Sequence, residues 1–164
     1  MTRPVPQKGA ALPEADHVLR YIRPRHVENG VVNGEGFLTR PGEDAPSVNW
    51  LEWFDPPIES QVAGARSVAR LTYAKTGQLA RLNVGQTIQY VRENEPNGLV
   101  LSFEHDPLDA DDKYSGDPSH SLIRGVPVQE TPEATLVKDL IAECIVPPLY
   151  PAVPPAEPVD EIRG

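Results

Sequence analysis

Thr131-Pro-Glu-Ala-Thr-Leu-Val-Lys-Asp-Leu-Ile-Ala-Glu-Cys144 is the stretch from which the fold is best read. A hydroxyl residue precedes proline and an acid, the order that caps a helix, starts it and places negative charge at the positive end of its dipole. Leu136, Val137, Leu140, Ile141 and Cys144 then recur at helical spacing, so the reading is an amphipathic helix from Pro132 to about Cys144. Pro147-Pro148 forbids its continuation. Pro151, Pro154, Pro155 and Pro158 extend that punctuation into a proline-rich tail over 147–164.

Outward toward the N-terminus, short β-like runs alternate with turns. His17-Val-Leu-Arg-Tyr-Ile22, Leu79–Val84, Leu99–Phe103 and Ser119–Arg124 are rich in branched or aromatic residues and bounded by glycine, proline or polar clusters. Val31-Val32, Asn33-Gly34 and Gly36–Thr39 read as a hairpin with a type I′ turn at the Asn-Gly pair. Ser47–Phe54 fits a strand or a short capped helix, and Gln86–Val91 a strand or a short helix. A second amphipathic helix is expected over about 58–74, from Ile58, Val62, Ala65, Val68 and Ala69. The sum is an α+β domain over 14–146, a small mixed or antiparallel sheet with two main helices, preceded by a flexible arm over 1–13.

The chain of 164 residues suits one domain of the usual size, roughly 100–200 residues. A formal net charge of −9 argues against nucleic acid or an anionic membrane as partner, since both need basic surface. No run approaches the roughly 18 apolar residues of a membrane span. The lone Cys144 allows no internal disulfide, which points to the cytoplasm and to a buried thiol.

Phosphate-loop, zinc-cysteine and nucleophile-elbow motifs are absent. Three islands instead place polar residues in apolar surroundings: His17 with Arg20, Ser47 with Asn49, and His120 between two serines. Period-2 alternation puts His17, Leu19 and Tyr21 on one strand face and Arg20 on the other. A catalytic reading makes Arg20 an anion binder, His17 or His120 an acid or base, and Ser47 and Asn49 orienting groups. The substrate would be nucleotide-like or phosphorylated. The chain order Arg20, Ser47, Glu104 is also that of arginine, serine and acid in transferases that bind nicotinamide dinucleotides, so ADP-ribosyl transfer is one version. The first reading, however, is a small intracellular protein that binds a protein partner through Trp50, Trp53 and Phe54, aromatic residues of the kind enriched in binding hot spots. The P-x-x-P spacings at Pro151–Pro154 and Pro155–Pro158 and the acidic loop 104–118 would add contact surface. That loop departs from the calcium-loop pattern, so neither a metal nor a cofactor is expected, and mimicry of a polyanion is a third idea.

Overall fold

The computed structural model describes residues 7–155. Within them run strands β1 (His17–Ile22), β2 (Val27–Glu28), β3 (Val31–Val32), β4 (Ser47–Trp50), β5 (Gln78–Asn83), β6 (Ser102–His105), β7 (His120–Arg124) and β8 (Val146–Pro151), with helices α1 (Ile58–Ser67), α2 (Val84–Asn94) and α3 (Pro132–Glu143). Six strands form one sheet in the order β6-β7-β4-β1-β5-β8, and every neighbouring pair is antiparallel. The α+β class is as expected.

Alternation along the strands gives the sheet two unequal faces. Val18, Ile22, Val48, Trp50, Leu82, Phe103 and Ile123 join Val91 of α2 and Val137 and Ile141 of α3 in the larger core. Leu19, Tyr21 and Leu79 form a smaller core with Leu51 and with Val62 and Ala65 of α1. Each fully buried Leu, Val or Phe contributes about 1.5–3 kcal/mol, so the α2/α3 face carries most of the stability.

Local chemistry explains the helix starts. The Thr131 hydroxyl accepts from Ala134 N–H at 3.1 Å, and the Asn83 side chain accepts from Gln86 N–H at 2.8 Å. The ambiguous segments resolve as β4 followed by a single 3₁₀ turn at Leu51–Trp53, and as α2.

Several expectations are corrected. The hairpin turn is Asn29-Gly30, whose φ values of 53° and 77° are those a type I′ turn requires. The expected turn residues Asn33-Gly34 instead open a 3₁₀ turn, Gly34–Phe37, because Gly34 packs against α3; a Cβ there would lie 2.8 Å from Asp139 N. α1 stops at Ser67 rather than near 74, and 68–77 runs on without regular structure as a strap over the sheet. There Arg70 donates to the carbonyls of Asp109 and Ser115, contacts a continued helix would have to forgo. β6 begins at Ser102, later than the expected Leu99–Phe103.

Among the described residues, parts of the expected arm and tail pair with the sheet. Residues 7–12 lie along β6, with Leu12 N–H donating to Phe103 O at 2.9 Å and Gly9 N–H to His105 O at 2.7 Å. Val146–Pro151 pairs with β5 as an edge strand, its register shifting between Leu79 and Arg81, and edges and irregularities are where a sheet tolerates proline. The Pro155–Pro158 spacing reaches outside the described residues.

Candidate functional site

The register Leu19↔Asn49 and Asn49↔His120 lines up the central strands on the α1 side of the sheet. α1 ends before covering this region. The strap 68–73, the turn 40–43 and the loop residues Leu108 and Asp117 enclose a cavity of about 290 Å³ above it, whose polar lining includes Tyr21, Arg40, Asn49, Tyr73, Asp117 and His120.

One wall is held by a buried ion pair. Arg20, on the large-core face and 0 % exposed, donates to the carbonyls of Gly36 (3.0 Å), Leu38 (2.7 Å) and Ser47 (3.0 Å) and to Glu43 Oε2 (3.0 Å). Glu43 also accepts from the N–H groups of Arg40 (2.7 Å) and Ser47 (3.0 Å). Burial alone would raise the Glu43 pKa, but the Arg20 charge and these donors outweigh it and hold the carboxyl below its usual range.

Arg40 differs. Its side chain is buried, donates to Tyr21 O, and stacks with its guanidinium carbon 5.3 Å from the Tyr21 ring centroid. No carboxylate lies within salt-bridge distance of its guanidinium among the described residues. Burial first, then the charges of Arg20 and Arg23, lower its pKa to about 10 against the opposing pull of Glu43. This is a desolvated cation facing a cavity.

The opposite lining is a hydrogen-bond network. Asn49 Nδ2 donates to Asp117 Oδ2 (3.0 Å) and Ser119 Oγ (2.9 Å), while Asp117 Oδ1 accepts from the N–H (3.0 Å) and hydroxyl (2.7 Å) of Ser119. With both donors of Asn49 Nδ2 directed this way, its carbonyl oxygen remains an acceptor. His120 Nδ1 lies 2.8 Å from Asp106 O and 3.2 Å from Asp106 Oδ2. A carbonyl can only accept, so Nδ1 carries a proton, and in the neutral ring the lone pair is then on Nε2, which has no hydrogen-bond partner among the described residues. Tyr73 stacks on Tyr21 at 4.5 Å, and burial, followed by the Asp117 charge, pushes its pKa up to about 12, leaving a neutral hydroxyl.

The structure therefore brings Ser47, Asn49 and His120 to one cavity and leaves Arg20 and His17 elsewhere. Arg20 supports the wall from the other face with four of its five N–H groups hydrogen-bonded. His17 binds Glu52, Nδ1 to Oε2 at 2.7 Å, away from the cavity. Glu104 pairs with Arg124 at 3.1 Å, so Arg20, Ser47 and Glu104 do not converge on this cavity. Trp50 is 2 % exposed and donates to Asp16 Oδ2 at 2.8 Å; Trp53 is half-buried against the large core, and Phe54 half-buried over Gly64 of α1. In the acidic loop Asp117 is buried and Asp111 accepts from Lys113 and Tyr114 N–H; no group of three or more metal-ligating side chains gathers among the described residues.

Sequence reasoning missed Arg40, Tyr73, Asp106 and Asp117. Arg40-Pro-Gly reads only as a turn, and Asp106 meets His120 across 14 positions with no local pattern. The available hint was Asp117-Pro-Ser119 immediately before a strand, where a loop acid can be turned inward.

Among the described residues, no helix is long and apolar enough to cross a membrane. Comparison with known protein families, with curated proteins and with solved structures finds no match for this chain.

Proposed function

We propose that the protein is a small enzyme that binds a phosphorylated or nucleotide-like molecule in the Arg40 cavity and carries out transfer or hydrolysis on it. The observation that carries the reading is Arg40, a buried guanidinium without an acid partner, aimed at a cavity just large enough for a compact ligand. Small-molecule sites run from about 300 Å³ upward, and a buried cation that lacks a counter-ion is stabilised by whatever anion fills the space.

In this reading Arg40 holds the anion, the Asn49 carbonyl and Asp117 accept from ligand hydroxyls, and Tyr73 donates. His120 takes a proton on Nε2 while Asp106, at Nδ1, fixes the tautomer and stabilises the imidazolium that forms. The inward packing of Trp50 leaves the protein-partner reading with the acidic surface as its main support. Net charge −9 favours a small anion over nucleic acid as ligand. The cytoplasm as working compartment is supported by the lone Cys144, whose thiol burial pushes up to about 11.

The test is calorimetric titration with inorganic phosphate, AMP, ribose 5-phosphate and adenosine, followed by product analysis of the ligands that bind. Anions should bind and adenosine should not. Arg40→Met should abolish binding, whereas His120→Gln should retain it and lose turnover by about 100-fold or more, the usual scale of acid–base catalysis. Unchanged anion binding in Arg40→Met would refute the reading.

A further inference from the structure

A second hollow, of about 570 Å³ and open to solvent, adjoins the cavity and shares Tyr21 and Tyr73 with it. Its remaining lining includes Arg23, Arg25 and Thr72. Neither Arg23 nor Arg25 has a carboxylate within salt-bridge distance among the described residues. Both sit where β1 runs directly into the 3₁₀ turn Pro24–His26, so their backbone is fixed by the central strand.

Their charges are felt across the partition. Arg23 lowers the pKa of both Arg20 and Arg40, and the His26 pKa is lowered by burial first and then by Arg25, with Arg40 and Arg23 adding to it. Four arginines and a histidine thus share this corner with the carboxylates of Glu43 and Glu35, and Arg20 occupies the first of these while Lys138 binds the second at 2.8 Å. In a chain of net charge −9, such an unneutralised positive corner is anomalous, and arginine's planar donors suit phosphate oxygens.

We propose that the ligand carries two anionic groups, a diphosphate or a bisphosphate, with one group on Arg40 inside the cavity and the other on Arg23 and Arg25 beyond the Tyr21–Tyr73 pair. This rests on the reading of the Arg40 cavity as an anion pocket. The exposed second subsite selects for the additional phosphate, and the aromatic pair offers a flat surface to whatever lies between.

The experiment compares the affinities of inorganic phosphate, inorganic pyrophosphate and fructose 1,6-bisphosphate for the full chain, for the double variant Arg23→Gln/Arg25→Gln, for the single variant Arg25→Gln, and for Arg92→Gln. Arg92 is an exposed arginine on α2, across the sheet, and serves as a control for simple loss of charge. One of the two-phosphate probes should bind at least about tenfold tighter than phosphate, the scale of one added charge-assisted contact. Pyrophosphate as the tighter probe identifies adjoining phosphates, and the sugar bisphosphate separated ones. The double variant should reduce that advantage to under about threefold while leaving phosphate affinity within about threefold, and Arg25→Gln should reduce it in part. Arg92→Gln should leave the advantage intact. If phosphate binds but neither probe gains, or the gain survives the double substitution, this proposal fails and the Arg40 reading stands. If no anion binds, both fail.

Discussion

Arg20 and Arg40 are both buried arginines next to Glu43, yet their chemistry predicts opposite responses to removal. Arg20→Met leaves Glu43 without its counter-charge and three carbonyls without the guanidinium donor, a loss of about 3–5 kcal/mol for a broken buried pair. That corresponds to a melting temperature lower by roughly 10 °C in a chain of this size. Arg40→Met deletes a charge with no acid partner and a single side-chain hydrogen bond, so it should cost the ligand-free protein less than about 1 kcal/mol while abolishing anion binding. Urea denaturation and calorimetry on the two variants check this, and equal destabilisation would contradict it. The pH limbs differ as well. Glu43, depressed below 4.5, contributes stability that is present above that value and lost as pH falls through its folded value, a limb that Glu43→Gln should flatten. Arg40 titrates lower when folded, near 10, than when unfolded, so its burial is unfavourable at neutral pH and that penalty is relieved as pH rises above about 10. Strand alternation already separated Arg20 from Leu19 and Tyr21 in the sequence. Which of those two faces held the cavity was not legible, because the answer depends on where α1 ends.

At the scale of elements, two Asn-Gly pairs four positions apart show what local chemistry decides. Gly30 has a positive φ and no atom within 4 Å of its would-be Cβ, so Gly30→Ala should cost about 1–2 kcal/mol from left-handed backbone strain alone. Gly34 has no such φ, but its Cβ would press on Asp139 N at 2.8 Å and Lys138 C at 2.9 Å. Gly34→Ala must therefore displace α3 or the 34–37 turn and should cost at least about 3 kcal/mol, the upper part of the overpacking range. Thermal denaturation of the two variants gives the order; a larger loss in Gly30→Ala would show that the turn, rather than helix docking, organises this region. The same contrast explains what could be read beforehand. β1, β5, β7 and α3 follow from alternation, branched side chains and an N-cap, all encoded within a few residues. The place of the hairpin is not legible in the sequence, because two identical dipeptides compete and only packing against α3 distinguishes them. β8 was hidden because its prolines argue against a strand unless one knows that it takes an edge.

Over the whole molecule, net charge and local field oppose each other. The chain's −9 repels a small anion at long range, whereas the arginine corner attracts it at short range. Composition alone revealed the first of these and concealed the second, since Arg20, Arg23, Arg25 and Arg40 become a cluster only once the 34–43 segment folds back across the end of β1. The two subsites should also respond differently to salt. Contacts at half-exposed or exposed Arg23 and Arg25 are screened within a Debye length of about 8 Å at physiological ionic strength, while the buried Arg40 contact is screened much less. Raising potassium glutamate from about 20 to about 200 mM should change monophosphate affinity less than about threefold, because screening weakens the long-range repulsion and the attraction together. The advantage of a two-phosphate ligand should shrink from about tenfold toward threefold over the same range, since that increment comes from the exposed pair. Calorimetric titrations at the two salt concentrations check this. Monophosphate binding that weakens as steeply as two-phosphate binding would place both anions on the protein surface and remove the distinction between a buried and an exposed subsite.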